Sequence, residues 1–184
     1  TMGGREIKLA RHGFARKQEW KLEEQSDNMV ALSLSSADHA ELLEQYPYPF
    51  KIVARYTIDA EKVAVSYEVT NEGTEDMPFF VGGHPGFKCP LDEGESYDDY
   101  ELRFEQREAA ELCTAVPSTG LIDVEHRSKN PMVGHDLPLT HELFDFAETI
   151  FDVLESRVVT LTKKTEDKGV RLTFPDMPYL IVWS

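Results

Sequence analysis

Alternation with a period of two dominates the chain. Phe50, Ile52, Ala54, Tyr56 and Ile58 fall on one face of an extended segment, with Lys51, Val53, Arg55, Thr57 and Asp59 on the other. Val63, Val65, Tyr67 and Val69 then alternate with Ala64, Ser66, Glu68 and Thr70, and Asp59-Ala60-Glu61-Lys62 between the two runs reads as a turn. Successive side chains of a strand point to opposite faces, so two such runs across a short turn predict a β-hairpin. Further strands are predicted over residues 19–25, 29–35, 100–104, 111–115, 149–154, 157–162, 170–174 and 179–183. Many short strands separated by turn residues predict an all-β sandwich or barrel.

One short helix interrupts the pattern. Ser35 and Asp38 have the spacing of a capping box, Leu42, Leu43 and Tyr46 share a side, and Pro47 and Pro49 stop the run. A second helical turn is expected near residues 140–144. The acidic stretch 92–99, which contains Gly94, reads as the least ordered part. No repeat, low-complexity segment or linker divides the chain, and 184 residues suit one domain spanning 1–184.

Composition narrows the function classes. Hydrophobic residues at 41% and charged residues at 29% describe an ordinary globular protein. No apolar run approaches the roughly 20 residues that span a bilayer, so no membrane partner is expected. The first residues lack the apolar segment of a secretory signal, and Cys89 and Cys113 are too few for a disulfide framework. Free thiols in a reducing, cytoplasmic setting follow. A formal charge of −15 repels phosphate backbones, which argues against nucleic acid and favours a neutral ligand.

Two segments break the strand pattern in a way that packing does not require. In Arg11-His12-Gly13-Phe14-Ala15-Arg16, cationic and imidazole groups surround a glycine. In Val81-Gly82-Gly83-His84-Pro85-Gly86-Phe87-Lys88-Cys89-Pro90-Leu91, three glycines and two prolines are expected to fix an irregular backbone around one histidine. A loop held that way keeps a side chain in place, as an acid or base requires. Simpler readings stand beside these: His84 as a hydrogen-bonded turn residue, His12 as a strand-end residue bonded to backbone, Arg16 paired with Glu19, and Lys88 on a solvated rim. Phe79-Phe80, Phe104 and Phe151 read as core. His39, His126, His135 and His141 show no metal-ligand spacing, so neither metal nor cofactor is expected. Ser118 and Ser156 lie in no nucleophile elbow.

The segment Arg11–Arg16 followed by Trp20, together with Gly83–Leu91, resembles the aldose 1-epimerase family in its LacX-like branch. The tail from Leu172 through Phe174-Pro175-Asp176-Met177-Pro178 to Trp183-Ser184 resembles the strand pair that follows in that family. The resemblance implies a galactose mutarotase-like antiparallel β-supersandwich, here incomplete, with one short helix. It implies an isomerase that interconverts the α and β anomers of a free hexose by general acid–base ring opening. By place in the motif, His84 is the acid, and imidazole suits that role because its ordinary pKa, about 6.5, lies near operating pH. His12 joins it at the catalytic centre and, with Arg16, hydrogen-bonds the sugar. Trp20 or Phe87 offers an apolar face.

The match departs from the family in three places. The family's base is a glutamate in an I-E-P-W-like context beyond the position of Trp183-Ser184, and several strands precede its H-G-F-A-R string. The chain therefore reads as the central portion of the family domain, cut or shortened at both ends. Third, in 144–151 the substrate-binding carboxylate falls on either Asp145 or Glu148. Two alternatives remain: a hexose-6-phosphate 1-epimerase with Arg16 on the phosphate, and a non-catalytic carbohydrate-binding protein. Missing flanking strands would leave open edges, so self-association, a homodimer among its forms, is expected.

Overall fold

The computed structural model describes residues 4–10, 12–116, 118–145 and 148–184. Among them every regular element is a strand apart from four short 3-10 turns, and every strand pairing is antiparallel. The all-β class read from the alternation is therefore the class observed. No described helix is long and apolar enough to cross a membrane. The chain divides into two compact units, Thr1–Val81 and Gly82–Ser184.

The first unit is one sheet in the order β1 (Lys21–Ser26), β2 (Met29–Ser35), β3 (Phe50–Asp59), β4 (Lys62–Asn71). The predicted hairpin is β3–β4, paired from Phe50 against Asn71 to Asp59 against Lys62. At one end of its apolar face Phe50 and Leu34 are buried with Leu42, Tyr46 and Tyr48, and Phe14, Trp20 and Met77 pack against them. Tyr46 donates its hydroxyl to the Pro78 carbonyl at 2.7 Å, which satisfies a ring otherwise removed from water. At the other end the same face is open, with Ile58 56% and Val63 67% exposed. The opposite face is polar. Ser33 and Lys51 both reach the Glu23 carboxylate, at 2.7 and 2.9 Å, and hold it below the usual carboxylate range.

The predicted helix is only a 3-10 turn, Ala40–Glu44. Ser35 and Asp38 do bond each other, with the Asp38 amide 3.2 Å from Ser35 Oγ, but this closes a turn ahead of the helical residues. Helix initiation fixes several residues for a single hydrogen bond, and Pro47 and Pro49 leave no length over which to recover that cost. Leu42 and Tyr46 are buried as their spacing suggested.

The second unit comprises two four-stranded sheets. One runs β11 (Gly169–Thr173), β10 (Val158–Lys163), β5 (Tyr100–Phe104), β8 (Asp136–Pro138); the other runs β12 (Leu180–Val182), β9 (Thr149–Phe151), β6 (Leu112–Val116), β7 (Leu121–Ser128). Phe104, Leu137 and Val159 from the first sheet form one core with Leu112 and Phe151 from the second. The Phe104 and Phe151 rings lie 5.0 Å apart. Gly169 is required by close approach, because a Cβ there would stand 2.2 Å from the Leu161 carbonyl oxygen. Buried Glu108 accepts the amides of Glu155 and Ser156 at 2.9 and 2.7 Å, which satisfies the turn into β10.

The acidic stretch 92–99 differs from its reading as the least ordered segment. Lys168 pairs with Asp92 and Lys163 with Glu95, a capping box joins Ser96 to Asp99, and buried Tyr100 donates to Glu95. Phe79 and Phe80 are also not core residues; they are 47% and 89% exposed.

Arg127 of β7 grips Asp152 with both guanidinium nitrogens, at 2.9 and 2.7 Å, and tethers the end of β9. The Arg127 hydrogen bonds lower the Asp152 carboxyl to about 2 from 3.8. A carboxyl depressed on folding stabilises above its unfolded pKa and loses that contribution as pH falls through the folded value. Denaturant melts should thus show stability falling between about pH 4 and pH 2. Asp152→Asn should flatten that limb and remove about 1–2 kcal/mol at neutral pH; an unchanged acid limb would contradict the assignment.

Candidate functional site

His84 belongs to the second unit, on a loop exposed from Gly82 to Lys88. Its imidazole packs on the indole of Trp183, with ring centroids 4.3 Å apart and planes inclined by 52°. Trp183 is carried there because β12, immediately before it, pairs with β9, matching Leu180, Ile181 and Val182 to Phe151, Ile150 and Thr149. The loop's glycines act differently from the expectation. Gly82 and Gly86 have no positive φ, and a Cβ at either would meet nothing within 4 Å. Neither is demanded by backbone strain; both leave open space flanking His84. The backbone restriction comes instead from Pro85 and Pro90, whose rings fix φ.

Past His84 the loop is anchored at its far end. Cys89 and Leu91 pack against the cluster of Tyr100, Leu139 and Leu161. The Leu91 amide donates to the Tyr100 hydroxyl at 3.1 Å. Phe87, by contrast, is 46% exposed and offers a ring to solvent, as the reading of it as an apolar face for a ligand requires.

Two further groups lie in this unit. Tyr97 and His141 stack with centroids 4.8 Å apart and planes 19° apart. Asp145 is exposed at the C-terminal end of the 3-10 turn His141–Phe144, and Glu148 is partly buried one residue ahead of β9. Phe146 and Ala147, between them in sequence, lie outside the described residues, as does Arg11 of the first motif.

In the first unit His12 sits in a turn closed by the Gly13 amide on the Ala10 carbonyl at 2.8 Å. Its φ is +67°, a conformation that few side chains adopt and that histidine tolerates better than most. A non-glycine residue held there in an exposed turn is a recognised mark of functional loops. Arg16 is exposed in the 3-10 turn Ala15–Lys17 and forms no ion pair with Glu19 among the described residues. Trp20 is not a free platform. Its indole donates to the Ala15 carbonyl at 2.9 Å and packs on the first unit's core.

His84, Phe87, Asp145 and Glu148 thus belong to the second unit, and His12 and Arg16 to the first. Trp183 and the Tyr97–His141 stack were missed. Their partners lie far away in sequence, and the only available signal was the resemblance of the tail ending in Trp183-Ser184.

Comparison with known proteins gives matches along nearly the whole chain. The family model described as aldose 1-epimerase matches residues 4–183. The plasmid and chromosomal LacX proteins of Lactococcus lactis subsp. lactis are each 41% identical over 177 residues, covering 96% of this chain and 58% of theirs. A galactose mutarotase-like protein from Lactobacillus casei superimposes with a TM-score of 0.80 at 30% identity, covering all of this chain and 62% of that one. A galactose mutarotase related enzyme from Lactobacillus acidophilus gives 0.84 at 26%, covering 99% and 59%. The chain thus spans somewhat under two thirds of the relatives it matches.

Burial raises both thiols above the usual cysteine range, with Cys89 half-buried at the loop's anchor and Cys113 only 2% exposed. A thiol-reactive dye at pH 7.5 should label Cys89 slowly and Cys113 only after denaturation. Immediate labelling of both would contradict this packing.

Proposed function

The chain belongs to the aldose 1-epimerase family, and on that premise we propose that it serves anomer interconversion of a free hexose, with His84 as general acid. The observation that carries the reading is the His84 loop itself: an imidazole on an exposed, proline-restricted segment, packed on an indole and flanked by open space at Gly82 and Gly86. A sugar ring can approach such a group without displacing core.

In this reading the His84 imidazolium gives its proton to the ring oxygen while a carboxylate takes the proton of the anomeric hydroxyl. The bond from the anomeric carbon to the ring oxygen breaks as the carbonyl forms. Rotation of the open aldehyde, followed by closure with the protons returned, delivers the other anomer. Phe87, in the same unit as His84, lies against an apolar sugar face. Asp145 and Glu148 are the candidate carboxylates for further hydroxyl contacts. The strong negative charge, −15, favours this neutral substrate over a phosphorylated one.

Polarimetry on freshly dissolved α-glucose and α-galactose, with the protein that carries this chain, tests the proposal. A positioned acid contributes about 10²–10⁴-fold, so His84→Asn should slow relaxation of the anomers by that factor. Equal rates for the two proteins would refute the role of His84.

A further inference from the structure

The contact between His84 and Trp183 joins residues at the two ends of the second unit, and neither the family motif nor its histidines account for it. We propose that Trp183 is a positioning residue for His84: its indole orients the imidazole that delivers the proton to the sugar ring oxygen. The inference rests on the reading of His84 as the acid.

Three observations support it. The stretch Gly82–Lys88 is exposed throughout, so the loop brings His84 out toward solvent. Trp183, with a centroid 4.3 Å away, presents a rigid wall on one side of the imidazole. Second, Trp183 is itself held. The preceding residues are paired in β12, where Leu180 and Val182 pack on the unit's core. Third, the indole keeps open surface. Trp183 remains 42% exposed, so it braces the histidine without closing access to it.

A brace acts on the chemical step more than on substrate capture, because a misaligned acid costs transition-state stabilisation only. Trp183→Leu should lower kcat about 10-fold, within the range a general acid supplies, and leave KM within about twofold. Trp183→Phe, which keeps an aromatic wall, should restore most of the rate. In a His84→Asn background Trp183→Leu should cost nothing further, since no acid remains to be aligned. Independently of activity, the carbon-bound imidazole protons of His84 should move downfield in the NMR spectrum of Trp183→Leu, as the indole ring current is removed.

Equal losses from Trp183→Leu in both backgrounds would overturn the positioning role and mark Trp183 as merely structural. So would a full rate in Trp183→Leu beside a slow His84→Asn enzyme. A His84→Asn enzyme at the wild-type rate would instead overturn the reading of the acid, on which this inference depends. The imidazole shifts would then still report whether the two rings touch.

Discussion

Strand β12 is three residues long, yet the surroundings of His84 depend on where it lies. Its pairing with β9 sets Leu180 and Val182 into the core between the two sheets of the second unit. The chain then emerges at Trp183, which lands on His84. A slip of one residue in this register would turn the apolar pair outward and move the indole to the other face. The register is therefore fixed by burial, and the orientation of the histidine follows from the register. β9 is secured in turn. Cys113 of β6 pairs with Ile150, and Arg127 of β7 holds Asp152 at the strand's end.

The same unit shows how an all-β domain of short strands satisfies its polar groups. Glu108 accepts two amides, the Ser156 hydroxyl accepts the Gln106 amide at 2.9 Å, and Thr162 donates its hydroxyl to neighbouring carbonyls. Each closes a turn that strands of three to six residues leave without ladder partners. The Lys163–Glu95–Tyr100 network does this for the acidic segment that leads into β5. Such anchoring lets the loop from Gly82 to Lys88 stay exposed while its far end, at Cys89 and Leu91, is held in the core.

Much of the fold was legible because alternation reports directly on which face of a strand is buried. β2 and β5 begin and end where the pattern placed them, and the β3–β4 hairpin turns at the expected residues. Elements without that signal were not seen. β7 is exposed along nearly its whole length, so its sequence shows little contrast between faces, and β8 has three residues ending in a proline. The capping residues Ser35 and Asp38 were read correctly as bonding each other, but local capping cannot say how far a helix propagates. At the candidate site the histidines were legible from their unusual local context. Trp183 was not, because its contact with His84 joins residues 99 positions apart, which no local pattern encodes.

The account as a whole turns on the His84–Trp183 pair being where a sugar binds. The direct measurement is an NMR titration of the protein with a free hexose, following the His84 imidazole and the Trp183 indole resonances together. The account predicts that both move, saturate with one midpoint, and are unaffected by a non-sugar polyol of similar size. Saturable sugar binding that leaves both rings unshifted would contradict it.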